Sequence, residues 1–199
     1  MVEPSWKSYA VLNPNPILNP AQCNELINIG KSEASAGGTV VGDVSQGEID
    51  KKHRKVKISW IPFNKARKTY EIIEKWLERF NTNFFDFDSP QLSEWGQYTE
   101  YPKGGFYDWH IDMYLKTSNM PPVRKISMTL LLNDPKEFEG GELEIFNGKL
   151  FNSTNKETGF KLKQGQAVFF ASFLLHRVKP ITKGNRKSLV MWFNGRPFK

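Results

Sequence analysis

The sequence predicts an α+β fold in which two helices pack on a β-sandwich or jelly roll. Three observations predict it. Helical periodicity is confined to the first part of the chain, clearest where Tyr70, Ile73, Trp76, Leu77 and Phe80 line one face. After Phe84 the texture changes to short apolar or alternating runs at about 93–101, 124–133, 142–146, 159–163, 167–170, 175–179 and 187–193, most of them separated by Gly or Asn-Asp turns. A length of 199 residues with 39% apolar content suits one domain with a well-buried core, with 1–92 supplying helices and flanking strands and 93–199 the jelly-roll core.

The elements follow in order. Residues 1–19 hold three of the twelve prolines and read as an extended lead-in with turns. Asn19-Pro20 opens a helix as N-cap and first helical residue, its stripe is Cys23, Leu26 and Ile27, and Gly30 lies near its end. Residues 33–52, rich in Gly, Ser and Asp around Thr39-Val40-Val41, read as a loop whose glycines suit closure over a substrate. Val56, Ile58 and Trp60 alternate with Lys57 and Ser59 as a half-buried strand, and a second helix covers about 64–81.

Composition narrows the class. No apolar run reaches the roughly 18 residues that span a bilayer, so no membrane role is expected. The first seven residues lack the basic-then-apolar order of a secretory signal, and the single cysteine, Cys23, has no internal partner; a reducing cytoplasmic setting is expected. Net charge is +7, and the stretch from Lys51 to Lys68 holds eight Lys or Arg and no acid. That run reads as a solvated face, with a nucleic-acid partner left open. His53 inside it reads as exposed and uninvolved. Oligomeric state is not legible.

The chemistry gathers around two of the three histidines. In Trp109-His110-Ile111-Asp112 the His and Asp are two apart, so an extended backbone turns both to one side. His176 follows the strand Gln166–Phe170. Two imidazoles and one carboxylate on one face of a metal leave the opposite face open, the pattern of a non-heme Fe(II) site; a structural zinc would take four protein ligands. Taken singly, His-x-Asp is a common pair and His176 would pass for a core histidine. Ten residues beyond His176, Arg186 opens the strand Lys187–Phe193, with Ser188 on its face. A guanidinium at an apolar pocket is costly unless it meets an anion, and a dicarboxylate bound to the metal at one end would supply one at the other. A surface arginine beginning a strand carries the same local sequence.

These residues resemble the prolyl 4-hydroxylase-like branch of the 2-oxoglutarate/Fe(II)-dependent dioxygenases. Tyr101 through Asp112 matches Y-x-x-G-x-x-Y-x-x-H-x-D at every fixed place; Arg124, Ser127–Asp134, Gly140–Leu143, His176-Arg177-Val178-x-Pro180 and Arg186–Trp192 are similar to the strands that follow. Upstream, Leu18–Ile27 and Arg54–Trp60 resemble the opening helix and the strand after it. The resemblance implies a double-stranded β-helix (jelly roll) flanked by N-terminal helices. It implies Fe(II), 2-oxoglutarate and O₂ as the working set with ascorbate as reductant, and hydroxylation coupled to release of succinate and CO₂.

Carried over by position, His110, Asp112 and His176 are the iron ligands and catalytic centre, Arg186 partners the distal carboxylate, and Tyr101 reaches the cosubstrate. Ser127, Thr129 and Ser188 are second contacts by strand alternation, while Trp109 and Arg124 flank the metal motif and line the substrate groove. Collagen-type and plant-type members usually have Lys where this chain has Arg186; Arg is more typical of oxygen-sensing prolyl hydroxylases and bacterial PKHD-type hydroxylases. The expected substrate is a prolyl residue in a peptide or protein. Hydroxylation of a free amino acid, another side chain or a nucleobase remains open, as does a non-catalytic metal- or nucleic-acid-binding jelly-roll module.

Overall fold

The computed structural model describes residues 8–35, 44–45, 48–49, 54–113, 123–146 and 159–198. In chain order they form β1 (Ala10–Leu12), α1 (Pro20–Ser35), β2 (Val44–Ser45), β3 (Glu48–Ile49), β4 (Arg54–Lys55), β5 (Lys57–Ile61) and α2 (Arg67–Phe80). Next come β6 (Gln91–Leu92), β7 (Gly96–Tyr101), β8 (Phe106–His110), β9 (Val123–Leu131), β10 (Phe138–Gly140), β11 (Leu143–Ile145) and β12 (Gly159–Phe160). β13 (Ala167–Ala171), β14 (His176–Val178), β15 (Ile181–Gly184) and β16 (Arg186–Gly195) complete the order.

A seven-stranded sheet runs β1-β13-β9-β16-β7-β5 with β6 paired to β16, and a five-stranded sheet runs β12-β11-β14-β8-β4. The pairings are antiparallel throughout. Two short ribbons, β10-β15 and β2-β3, stand apart from these sheets. This is the jelly-roll α+β architecture expected from the sequence.

The large sheet is buried on both faces, which explains why its strands read as continuous apolar runs. Tyr98, Met128, Leu130, Phe169, Leu189, Met191 and Phe193 face the helices, packing with Leu26, Ile73, Leu77 and Phe80. The alternate residues Ile58, Tyr101, Leu131, Val168 and Phe170 face the small sheet and meet Leu143, Ile145 and Val178. The interior floor on which the site is built is this second face.

The first helix begins as the sequence leads one to expect, and the second does not. Asn19 Oδ1 accepts from the Gln22 backbone N–H at 2.9 Å while Gln22 Oε1 accepts from the Asn19 N–H at 2.8 Å, a reciprocal capping box for α1. Gly30 does not end α1. A Cβ there would lie 2.3 Å from Tyr98 Cγ, so glycine lets the helix settle against β7. The second helix starts later than 64, because Phe63–Lys65 form a 3₁₀ turn before it, and the chain then continues through a π-turn at Asn81–Phe85. Several strands are additions to the sequence reading: β1 lies in the proline-rich lead-in and pairs with β13, β8 carries His110, and the short β2, β3, β6, β10 and β15 were not expected either.

Thr39–Val41, Lys51, Lys52 and His53 lie outside the described residues, as does most of the expected 33–52 loop. In the described part of the basic run Lys55, Lys57, Lys65, Arg67 and Lys68 are exposed, as expected of a solvated face. Arg54 is buried, Lys65 pairs with Glu33, and Arg67 with Glu71 at 2.9 Å. Cys23 is fully buried, and burial pushes its thiol up to about 11, so it stays protonated. No described helix is long and apolar enough to cross a membrane.

Candidate metal centre

His110 ends β8 and His176 begins β14, and the register places them directly opposite each other across the small sheet. Asp112 follows β8, held where its backbone N–H donates to Ser172 O at 3.0 Å. One ligand atom from each of the three lies within 4.8 Å of the others. His110 Nε2 is 3.7 Å from Asp112 Oδ1, and His176 Nε2 is 3.5 Å from Asp112 Oδ2.

The protonation pattern suits a cation. His110 Nδ1 is 2.7 Å from the Asp108 carbonyl and His176 Nδ1 is 2.9 Å from the Leu174 carbonyl. A carbonyl can only accept, so each Nδ1 carries a proton and each ring turns its Nε2 inward. Burial and the neighbouring His176 push His110 down to about 3, against the opposing pull of Asp112, so the ring is neutral at physiological pH. Burial alone would raise the Asp112 carboxyl. The His176 and His110 rings and the Ser127 hydroxyl outweigh it and hold the group below its ordinary value. Ser127 Oγ donates to Asp112 Oδ2 at 2.7 Å and sits 2.9 Å from Ser172 Oγ. The donor set therefore fits a divalent iron: two imidazoles, one carboxylate and no thiolate.

The floor leads away from this cluster along β9 and β16. Trp192 pairs with Ser127 at the metal end, Val190 with Thr129 in the middle, and Ser188 with Leu131 at the far end. Arg186 lies one further alternate position along and pairs with Tyr101 of β7. Its guanidinium is buried, 5.3 Å above the Tyr101 ring, and Nη1 donates to Ser188 Oγ at 3.1 Å. Among the described residues no carboxylate pairs with it. Burial lowers the Arg186 pKa while Tyr101 beside it works the other way. Burial raises the Tyr101 phenol, opposed by the charges of Arg54 and Arg186, so the phenol keeps its donor proton. Ser127, Thr129 and Ser188 thus share one face with Tyr101 and Arg186. Only Ser127 touches a residue of the cluster, and Ser188 reaches Arg186.

The two expected groove residues part company. Arg124 donates to Glu94 at 2.9 and 2.5 Å and covers the Trp192 ring at 3.8 Å, beside the metal end of the floor. Trp109 is a correction. Its ring lies under the Arg177 guanidinium at 4.5 Å and edge-on to Phe146 at 6.4 Å. Arg177 in turn pairs with Glu144, which alternates with the inward Leu143 and Ile145, so Trp109 belongs to the outer face of the small sheet.

Alternation sets Trp109 opposite its neighbour His110, and β8 also carries a bulge. Between the His176–His110 and Val178–Tyr107 pairs, β8 spends one residue more than β14. Tyr107 and His110 therefore share a face, stacked with centroids 3.5 Å apart and planes at 16°.

Several site residues were not expected from the sequence. Tyr107 is one, and Arg54 is another, its guanidinium 4.3 Å over the Tyr107 ring. Trp192 is a third; its indole N–H is buried without a hydrogen-bond partner, yet it lies close enough to Asp112 to help hold the carboxylate charged. Counting alternate positions back from Tyr101 and on from Arg186 would have found Gln97, Thr99 and Trp192. Nothing local marks Ser172.

Known proteins bear on this geometry. Residues 96–194 match the model of the 2OG-Fe(II) oxygenase superfamily. A PKHD-type hydroxylase of Colwellia psychrerythraea is 40% identical over 89 residues, 45% of this chain and 37% of that protein. The chain spans between about a third and a half of the length of the first curated relatives it matches. A Pseudomonas putida prolyl-4-hydroxylase superposes with a TM-score of 0.70 at 20% identity, covering 95% of this chain and 94% of that one. A Trichoplax adhaerens prolyl hydroxylase, solved with a peptide fragment of hypoxia inducible factor, gives 0.71 at 19% identity over 93% and 83%. The matched segment begins at β7 and ends within β16, and so contains every donor described above; the chain belongs to the 2OG-Fe(II) oxygenase superfamily.

Proposed function

We propose that this protein is an Fe(II)- and 2-oxoglutarate-dependent dioxygenase that hydroxylates a prolyl residue of a peptide or protein. One observation carries the reading. Three metal-donor side chains meet at one end of a buried floor whose other end holds Arg186, a buried cation with no anion among the described residues. From Ser127 to Leu131 the floor runs four residues, roughly 13 Å of strand. That length suits a short dicarboxylate bound to metal at one end and to a guanidinium at the other.

In this reading His110, Asp112 and His176 hold the iron through Nε2, one carboxylate oxygen and Nε2. The bound iron supplies activation of O₂ coupled to oxidative decarboxylation of 2-oxoglutarate to succinate and CO₂. Arg186 pairs with the distal carboxylate, with Tyr101 and Ser188 beside it fixing the direction of approach. Ser127 keeps Asp112 charged and oriented. Trp192 and Arg124 wall the metal end, where a substrate would enter. Ascorbate is the reductant that keeps the metal ferrous, and a reducing cytoplasm is the compartment in which such iron and the buried thiol persist.

The peptide substrate is supported by the PKHD-type relatives and by the peptide-bound Trichoplax neighbour. The test is turnover with Fe(II), 2-oxoglutarate, O₂, ascorbate and a panel of proline-rich peptides. The expected result is succinate together with a peptide mass gain of one oxygen. Succinate without any peptide product would reject the prolyl substrate, and no succinate from metal-loaded protein would reject the enzyme.

A further inference from the structure

A second buried arginine faces the interior, and no described residue neutralises it. Arg54 is 9% exposed; among the described residues no carboxylate pairs with its guanidinium, and its Nε has no hydrogen-bond partner. Its contact is the Tyr107 ring at 4.3 Å, whose opposite face lies on His110. Burial raises the Tyr101 phenol, and the charge of Arg54 opposes this ahead of that of Arg186. The guanidinium therefore stands one ring away from a metal donor, beside the space between the donors and Arg186. A cation–π contact offsets only part of the cost of burying such a charge.

The charges of the site leave room for one more anion. A divalent metal held by Asp112 and two neutral ligand imidazoles keeps one positive charge, and Arg186 adds a second. A dianionic 2-oxoglutarate cancels both. Arg54 is the charge left over, and it calls for a monoanion that neither the described residues nor the cosubstrate supply. We propose that Arg54 receives the carboxylate of an acidic residue flanking the target proline, so that the substrate is an acidic, proline-containing peptide. The proposal rests on the prolyl-peptide reading above. Successive Cα atoms lie about 3.8 Å apart, so an aspartate or glutamate one or two residues from a proline at the metal has the reach to span one stacked ring. Bidentate pairing would then fix the direction in which the peptide crosses the site.

Calorimetric titration of the full chain, loaded with Mn(II) and 2-oxoglutarate, tests this without turnover. The probes are short peptides with one proline that differ only in carrying Ala, Asp or Glu at the neighbouring positions. The expected result is that an Asp or Glu peptide binds about tenfold or more tighter than its Ala counterpart, and that Arg54→Gln brings the ratio to about one. Arg54→Lys, which keeps the charge without the fork, is expected to retain part of the preference. Equal affinities in the wild type, or a preference that survives Arg54→Gln, overturn the proposal. An Arg54→Gln variant that weakens 2-oxoglutarate by the same factor also overturns it, because the cation would then serve the cosubstrate. A short oligonucleotide that binds through Arg54 in place of the acidic peptide does so too. If no proline peptide of either kind binds, the prolyl reading falls and this proposal with it, an outcome distinct from tight binding without acid preference.

Discussion

The Tyr107 ring lies flat on His110, with centroids 3.5 Å apart, although the two stand three positions apart along one strand. The bulge in β8 makes this possible, and Arg54 closes the stack from the other side of Tyr107 at 4.3 Å. The imidazole is consequently held by its Nδ1 hydrogen bond, by His176 across the strand pair, and by a phenol on its face. Tyr107→Ala is expected to weaken Mn(II) binding by roughly tenfold, in line with the loss of a ligand-orienting neighbour. Calorimetric Mn(II) titration checks this, and unchanged affinity would leave the stack as packing alone.

Ser127→Ala removes the 2.7 Å hydrogen bond to Asp112 from a fully buried position. The carboxylate then loses one of the groups that hold it charged and oriented. Metal affinity is expected to fall about 10–100-fold, with Ser127→Thr recovering part of it. Parallel metal titrations of the three proteins make the comparison.

Asp112→Ala is expected to abolish metal binding and turnover while leaving the far-UV spectrum and the cooperative melt in place. The change removes a ligand and relieves a buried charge; it takes little apolar surface from the core. Retained succinate formation in this variant would move the metal elsewhere.

Arg186→Ala is expected to raise the 2-oxoglutarate requirement by roughly 2–5 kcal/mol of lost binding, the usual effect of deleting one member of a buried hydrogen-bonded charge pair. Arg186→Lys keeps the charge but not the fork, and recovers part of the affinity. The Kd for 2-oxoglutarate on Mn(II)-loaded protein is the measurement. An unaltered Kd would assign the carboxylate contact to another cation, with Lys187 the first to examine.

Much of the site was legible because its chemistry is written in residue types at short spacing. His110 and Asp112 stand two apart, and Arg186 follows His176 by ten residues. Ser127, Thr129 and Ser188 could be placed on one face from alternation, and the register confirms that they share it. Where the reading failed, the cause was mostly non-local. Trp109 was expected to line the groove because it flanks the metal motif, whereas alternation in β8 turns it away from its neighbour His110 to the outer face. β1 escaped notice because its three residues sit among prolines and find their partner, β13, more than 150 positions later. Ser172 reaches Asp112 and Ser127 only through tertiary pairing, and Gly30 looked like a helix end because its real reason, the Tyr98 ring, lies on another element.

Everything above turns on whether one molecule of 2-oxoglutarate bridges the donors of His110, Asp112 and His176 to Arg186. Anaerobic titration of 2-oxoglutarate into the Fe(II)-loaded protein tests this most directly, read by the visible charge-transfer absorption of a 2-oxo acid chelated to ferrous iron. The account predicts a saturable band at one equivalent, absent in Asp112→Ala and shifted to higher 2-oxoglutarate concentration in Arg186→Ala. No band in the iron-loaded wild type, or a band that Arg186→Ala leaves at the same midpoint, would contradict it.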